Sequence, residues 1–122
     1  MFAHITSSVA WLEALEAGLY SAPSLEAQGF IHCSEISTEQ LLAVANYLYA
    51  GQSGLVLLLI EAERLEAVVR DEEFETSGKF FPHVYGPINL DAIVRVLPFP
   101  PQPDGTFQLP EEWRETETSA RK

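Results

Sequence analysis

One cysteine, Cys33, stands alone in 122 residues, so the chain cannot close a disulfide on itself, and no Cys/His spacing of the zinc-finger kind is present. Positive charge is missing from the whole stretch before Arg64, although Glu13, Glu16, Glu26, Glu35 and Glu39 fall inside it, and the formal net charge is −11. Nucleic-acid binders carry a basic stripe that releases counterions from phosphates; here a polyanion meets repulsion, and no nucleic-acid partner is expected. Long apolar runs are missing too. The longest, GLVLLLI from Gly54 to Ile60, is too short to cross a bilayer, and the first residues lack the basic-then-apolar order of a signal peptide. A cytoplasmic chain with no membrane partner is the expectation, and the sequence leaves the oligomeric state open. No internal repeat of domain size occurs.

What is present suits one compact domain: 47% of the residues are hydrophobic and 20% charged. FAHIT alternates as a strand does, and SSVAWLEALEAG follows with Val9, Leu12 and Leu15 at helical spacing and Gly18 as a stop. LYSA and GFIHCS read as extended segments. STEQLLAVANYLYAG opens with Ser37 and Gln40 spaced as a capping box and closes on Gly51, which predicts a second helix. LVLLLIE reads as a strand buried on both faces, and AVVRDEEF and LDAIVRVLPF as further strands. The functional domain is therefore expected over residues 1–97. Residues 98–122 form a Pro-rich and then polar extension in which Phe107, Leu109 and Trp113 can dock on the body and the last residues are disordered.

All three histidines share one pattern. FAHIT, FIHCS and FPHVY each read Phe, any residue, His, any residue, hydroxyl. Side chains alternate along a strand, so Phe2, His4 and Thr6 share a face, as do Phe30, His32 and Ser34, while Ile5 and Cys33 point the other way. If the first two strands are neighbours, imidazoles, hydroxyls and aromatic walls converge on a site for a small-molecule ligand. The third copy is looser, because Pro82 cannot donate to a ladder and Gly86 and Pro87 turn the chain after Tyr85. It is expected to form a lip over the cleft rather than a core strand. Cys33, beside Ile31 and far from any basic residue in sequence, reads as a packed thiol rather than a nucleophile. Asp71, Glu72 and Glu73 read as a solvated strand end from which one carboxylate can face the site.

HIT followed by Trp11, GFIHCS with Gln40 after it, LVLLLIE, and FPHVYGPIN together resemble the bacterial family catalogued as domain of unknown function 952, from about Met1 to Leu97. That family is in turn similar to the ADP-ribosyltransferase fold and, within it, to RNA 2′-phosphotransferases, whose motifs include His-Gly-Thr on one strand and His-Leu-Ser on a later one. His4, Ile5 and Thr6 match the first motif; His32, Cys33 and Ser34 match the second. The resemblance implies an α+β fold, a split pair of small, mostly antiparallel sheets with two main helices and a cleft for NAD between them. It further implies that His4 and Thr6 hold a ribose hydroxyl, that His32 and Ser34 line the nicotinamide side, and that His83, or a carboxylate near Glu73, takes the third catalytic position. Tyr85 would join the cofactor-binding set. Such sites act by stabilising the positive charge that develops on the ribose as nicotinamide departs.

Two departures bear on the activity. Ile5 stands where the phosphotransferase motif has glycine, and the first half has no arginine to grip an RNA phosphate. RNA 2′-phosphate removal is therefore not expected, and a different acceptor, such as a small molecule or a protein side chain, stays open. Two other readings stay open on sequence: a metal hydrolase using His4, His32 and His83 with a carboxylate, and a non-catalytic nucleotide-binding module that keeps the cleft without the reaction. Elemental analysis separates the first, and NAD turnover measured beside NAD binding separates the second.

Overall fold

The computed structural model describes residues 1–74, 76–111 and 113. The disorder expected of the last residues falls on residues 114–122, outside those described. Strand β1, Phe2–Ser7, runs straight into helix α1, Ser8–Ala17, because the Ser7 hydroxyl accepts the Ala10 N–H at 3.0 Å and so caps the first turn. Gly18, at φ 84, ends that helix in the left-handed conformation that glycine adopts without strain, and its N–H donates to the Ala14 carbonyl.

A short strand β2, Leu19–Tyr20, and a short helix α2, Pro23–Gln28, follow. The sequence reading missed α2, yet its punctuation is regular: Pro23 begins it, where no N–H is needed, and Gly29 at φ 90 ends it. Strand β3 is only Ile31–His32. A π-helical turn, Thr38–Leu42, then leads into helix α3, Ala43–Leu48. Half of the expected capping box forms there, with Ser37 Oγ accepting the Gln40 N–H at 3.1 Å. The Gln40 side chain goes elsewhere: it accepts the Glu35 N–H at 2.9 Å and donates to the Phe80 carbonyl at 2.7 Å, so it ties two segments of the fold together instead of closing its own cap.

The remaining elements are strands β4, Leu55–Ile60; β5, Val68–Glu73; β6, Phe80–Tyr85; β7, Ile88–Asn89; and β8, Ile93–Pro98. They build two three-stranded antiparallel sheets, in the orders β1-β4-β8 and β3-β6-β5, with β2 and β7 paired as a small ribbon. The fold is thus α+β with small antiparallel sheets and few helices. β4, central in its sheet, is apolar throughout, as a strand buried on both faces must be.

Each face of the first sheet meets a core. Phe2, Leu58 and Ile60 on one face pack with Ile31 and Val84 of the second sheet, with Cys33 just past β3, and with Ala14 of α1. Ala3, Ile5, Leu57 and Leu59 on the other face pack with Leu41 and Ala45 of the π/α3 segment and with Phe99 and Phe107, which stack at 4.8 Å. The Phe107 N–H donates to the Asn46 side chain at 2.8 Å, so the segment after Pro98 is held against the body, where Leu109 also packs. Each fully buried Leu or Ile contributes about 1.5–3 kcal/mol. On α1 the buried side is Ala14 with Ala10 and Trp11 packed beside it, whereas Val9, Leu12 and Leu15, the residues that mark its helical spacing in the sequence, face outward.

FPHVY differs most from its sequence expectation. It is not a lip but part of β6, the central strand of the second sheet. Pro82 is tolerated because the β3 ladder stops beside it: His32 pairs with His83, the Cys33 N–H donates to the Pro82 carbonyl at 3.0 Å, and the chain then leaves. At Ser34 it crosses to the first sheet, where Ala3 and Ser34 exchange two backbone hydrogen bonds of 2.8 Å. The missing donor of Pro82 thus coincides with the point where the two sheets are joined.

Candidate functional site

The three histidines fall into two layers. His4 lies on the face of β1 that looks into the core between the sheets and is 8% exposed. Its Nδ1 is 2.6 Å from the His32 carbonyl, and its Nε2 is 2.8 Å from the Tyr20 hydroxyl, whose oxygen also meets the Thr6 hydroxyl at 2.9 Å. A carbonyl only accepts, so Nδ1 carries the proton and Nε2 of the neutral ring accepts from Tyr20. Burial holds His4 neutral, lowering its pKa to about 4 despite the His32 carbonyl, which favours the charged form. Burial likewise pushes the Tyr20 phenol upward.

This corrects the expected sharing of a cleft by His4 and His32. Strand parity holds within each strand, but β1 is buried on both faces, so the face that carries His4 is as much interior as the one that carries Ile5. Both His4 nitrogens and the Thr6 hydroxyl are engaged within the protein. Ser34 is 5% exposed and held at the sheet junction. Thr6 is tied to Tyr20 and Ser34 to Ala3 of the first sheet, and His4 meets the backbone of His32 rather than its ring.

On the outer face of that sheet the other two histidines meet. His32 and His83 are cross-strand partners, and their rings lie 5.3 Å apart, edge to face. Phe30 stacks on His83 at 4.1 Å and meets His32 at 4.8 Å and Tyr85 at 5.4 Å, so four rings form one cluster. β5 adds charge to it. His83 Nδ1 donates to Glu72 Oε1 at 2.9 Å, the Tyr85 hydroxyl donates to the same oxygen, and the Arg70 guanidinium lies 5.4 Å from the Tyr85 ring centre. The Tyr85 and His83 hydrogen bonds hold the Glu72 carboxyl below its ordinary range, and Glu72 in return raises the Tyr85 phenol. His32 is lowered, chiefly by desolvation and then by its neighbour His83; its Nε2 meets the Gln28 side chain of α2.

The arrangement has a chemical reading. With Nδ1 of His83 donating to a carboxylate, Nε2 is left as the basic nitrogen, and among the described residues it has no hydrogen-bond partner. The carboxylate that does this is Glu72, not Glu73. Glu73 lies one residue further along β5 and accepts the Gly78 N–H at 2.7 Å, which makes it part of the β5–β6 turn. Sequence reasoning placed a carboxylate in this segment but could not choose between neighbours, because the choice rests on hairpin register. That register is set by the turn, where the Phe74 N–H donates to the Lys79 carbonyl at 2.9 Å, and it places Glu72 opposite Phe81 and Arg70 opposite His83. Arg70 joins the site through the same register, Phe30, read from sequence only as a pocket wall, through its ring contacts, and Gln28 through its contact with His32 from the end of α2.

A three-histidine metal centre is not built. Among the described residues no group of three or more His, Cys, Asp or Glu side chains is arranged to hold a metal ion, and His4 is separated from the other two by the backbone of β3. Cys33 is buried on the core side, and that burial raises its thiol pKa well above the ordinary range.

Known structures with this architecture include protein CC0527 from Caulobacter crescentus. Its X-ray structure matches with a TM-score of 0.78 and 31% identity over 88% of this chain and 93% of that chain. Its solution NMR structure matches with a TM-score of 0.70 and 32% identity, over 88% and 91%. Comparison with curated proteins gives no match. Residues 5–96 match the family described as Protein of unknown function (DUF952), and the chain belongs to that family.

Proposed function

We propose that the outer face of the β3-β6-β5 sheet binds a nucleotide of the NAD or ADP-ribose class, and that Glu72 and His83 serve transfer of its ribosyl group to a small-molecule or protein acceptor. The observation that carries this reading is the convergence of Phe30, His32, His83 and Tyr85 with Glu72 and Arg70 on one sheet face. Aromatic and imidazole rings offer stacking surfaces to a planar base, and Arg70 offers a cation to a phosphate. Glu72, held ionised by two donors, offers the negative charge that a departing glycosidic bond calls for as its electron pair leaves with the nicotinamide nitrogen and positive charge builds on the ribose. His83 Nε2 is then available to take the proton of the incoming acceptor.

The pair of small antiparallel sheets supports the ADP-ribosyltransferase-like part of the reading, with one change from the sequence expectation. The layer between the sheets is filled by Phe2, Ile31, Leu58 and Val84, so the ligand belongs on the outer face of the second sheet instead. The test is isothermal titration of the chain with NAD, ADP-ribose and nicotinamide, followed by chromatography for released nicotinamide. Binding that His83→Ala weakens about tenfold or more is expected. Absence of binding to all three compounds overturns the reading.

A further inference from the structure

The outward side of α1 is apolar. Val9, Leu12 and Leu15 are 65%, 60% and 50% exposed, and Leu19, just past the helix, is 41% exposed. Val9, Leu12 and Glu16 follow one another up this side at helical spacing, with Leu15 and Glu13 flanking them. Packing does not explain the choice of residues, because the inward side is already supplied by Ala10, Trp11 and Ala14. Clustered exposed aliphatic side chains of this kind mark surfaces that another molecule covers.

Charge identifies the kind of molecule. Glu13 and Glu16 lie toward the C-terminal end of α1, where the helix dipole is negative and Lys or Arg is favoured, and the last turn has no basic residue. The first basic residue in the chain, Arg64, is already engaged with Glu61 at 2.8 Å. Among the described residues neither Glu13 nor Glu16 has an ion-pair partner, so the apolar stripe is bordered by negative charge. A second copy of this chain would set those carboxylates against each other, and an anionic membrane surface would be repelled by them. The complement is a helix whose apolar stripe is flanked by Lys or Arg.

We infer that the outward face of α1 is a docking surface for a cationic amphipathic helix of a partner protein. This surface is formed by residues other than those of the His32–His83 cluster, and the inference stands whether or not that cluster binds a nucleotide.

The test uses the full chain and a labelled synthetic helix of Leu and Lys in an amphipathic arrangement, with a scrambled peptide of the same composition as control, read by fluorescence anisotropy. The amphipathic peptide is expected to bind about tenfold or more tightly than the scrambled one. Leu12→Glu removes apolar contact while adding a negative charge, and it is expected to weaken binding about tenfold. Because Leu12 is exposed, this variant keeps the fold, which circular dichroism checks. Equal binding of the two peptides, or binding to Leu12→Glu that is unchanged or tighter, would reduce the effect to general charge attraction and overturn the inference. So would concentration-dependent dimerisation of the wild-type chain that Leu12→Glu abolishes, because the face would then belong to a second copy.

Discussion

Acid should destabilise the fold through one buried imidazole. His4 is neutral in the folded chain, with a pKa lowered from 6.5 to about 4 by burial. Above pH 6.5 neither state of the chain protonates this ring. Below it, the unfolded chain takes up a proton that the folded chain refuses, so folding stability falls as the pH drops, and the loss levels off near pH 4, where the folded ring also protonates. A window of ~2.5 pH units at ~1.36 kcal/mol per unit gives a loss of at most ~3.4 kcal/mol. His32 is lowered as well and carboxylates titrate in the same region, so the contribution is isolated by comparison with His4→Asn. Asn can still donate to the His32 carbonyl but loses the acceptor for Tyr20, which costs about 1–3 kcal/mol near neutral pH. Urea denaturation across this range should therefore show wild type ahead at neutral pH and the two chains converging or crossing as the pH falls. Parallel stability curves would refute the assignment of a buried, neutral His4.

Other consequences follow from the same geometry. Tyr20→Phe leaves Nε2 of His4 buried without its donor and should cost about 1–3 kcal/mol in thermal or urea denaturation, whereas a change within ~0.5 kcal/mol would remove the His4–Tyr20–Thr6 chain as a stabilising feature. Cys33, buried and with its thiol pKa raised, should resist a thiol reagent such as Ellman's in the native chain and react at once in urea; rapid native labelling would show that the core between the sheets opens easily. Glu72→Gln should weaken nucleotide binding in calorimetry and Glu73→Gln should leave it unchanged, because only Glu72 touches His83 and Tyr85; the opposite ranking would return the role to Glu73.

Much of the fold is legible in the sequence where local chemistry decides it. The α1 stop at Gly18, the Ser37 cap and the doubly buried β4 each follow from a residue type acting on its own neighbours. Strand parity at FIHCS is equally local, and it correctly puts Cys33 away from His32. What parity cannot say is which face of a doubly buried strand looks at which neighbour, and so the environment of His4 is set by tertiary packing. Pro82 inside a central strand runs against its usual placement, and it is accommodated only because β3 ends opposite it and the chain crosses to β1. Glu72 and Glu73 are indistinguishable until the β5–β6 register is fixed by the turn between them. α2 was legible in principle, from Pro23 and Gly29, but six residues give too little periodicity to declare a helix.

The division of the histidines between a buried layer and an exposed cluster can be tested directly by imidazole NMR. The side-chain resonances of all three histidines are followed while NAD or ADP-ribose is added to the folded chain. Ligand on the outer face of the second sheet should shift His32 and His83, which share that face, and leave His4, enclosed by Tyr20 and the His32 carbonyl, essentially unmoved. A titration in which His4 shifts while His32 and His83 stay in place, or in which none of the three responds, would contradict the site.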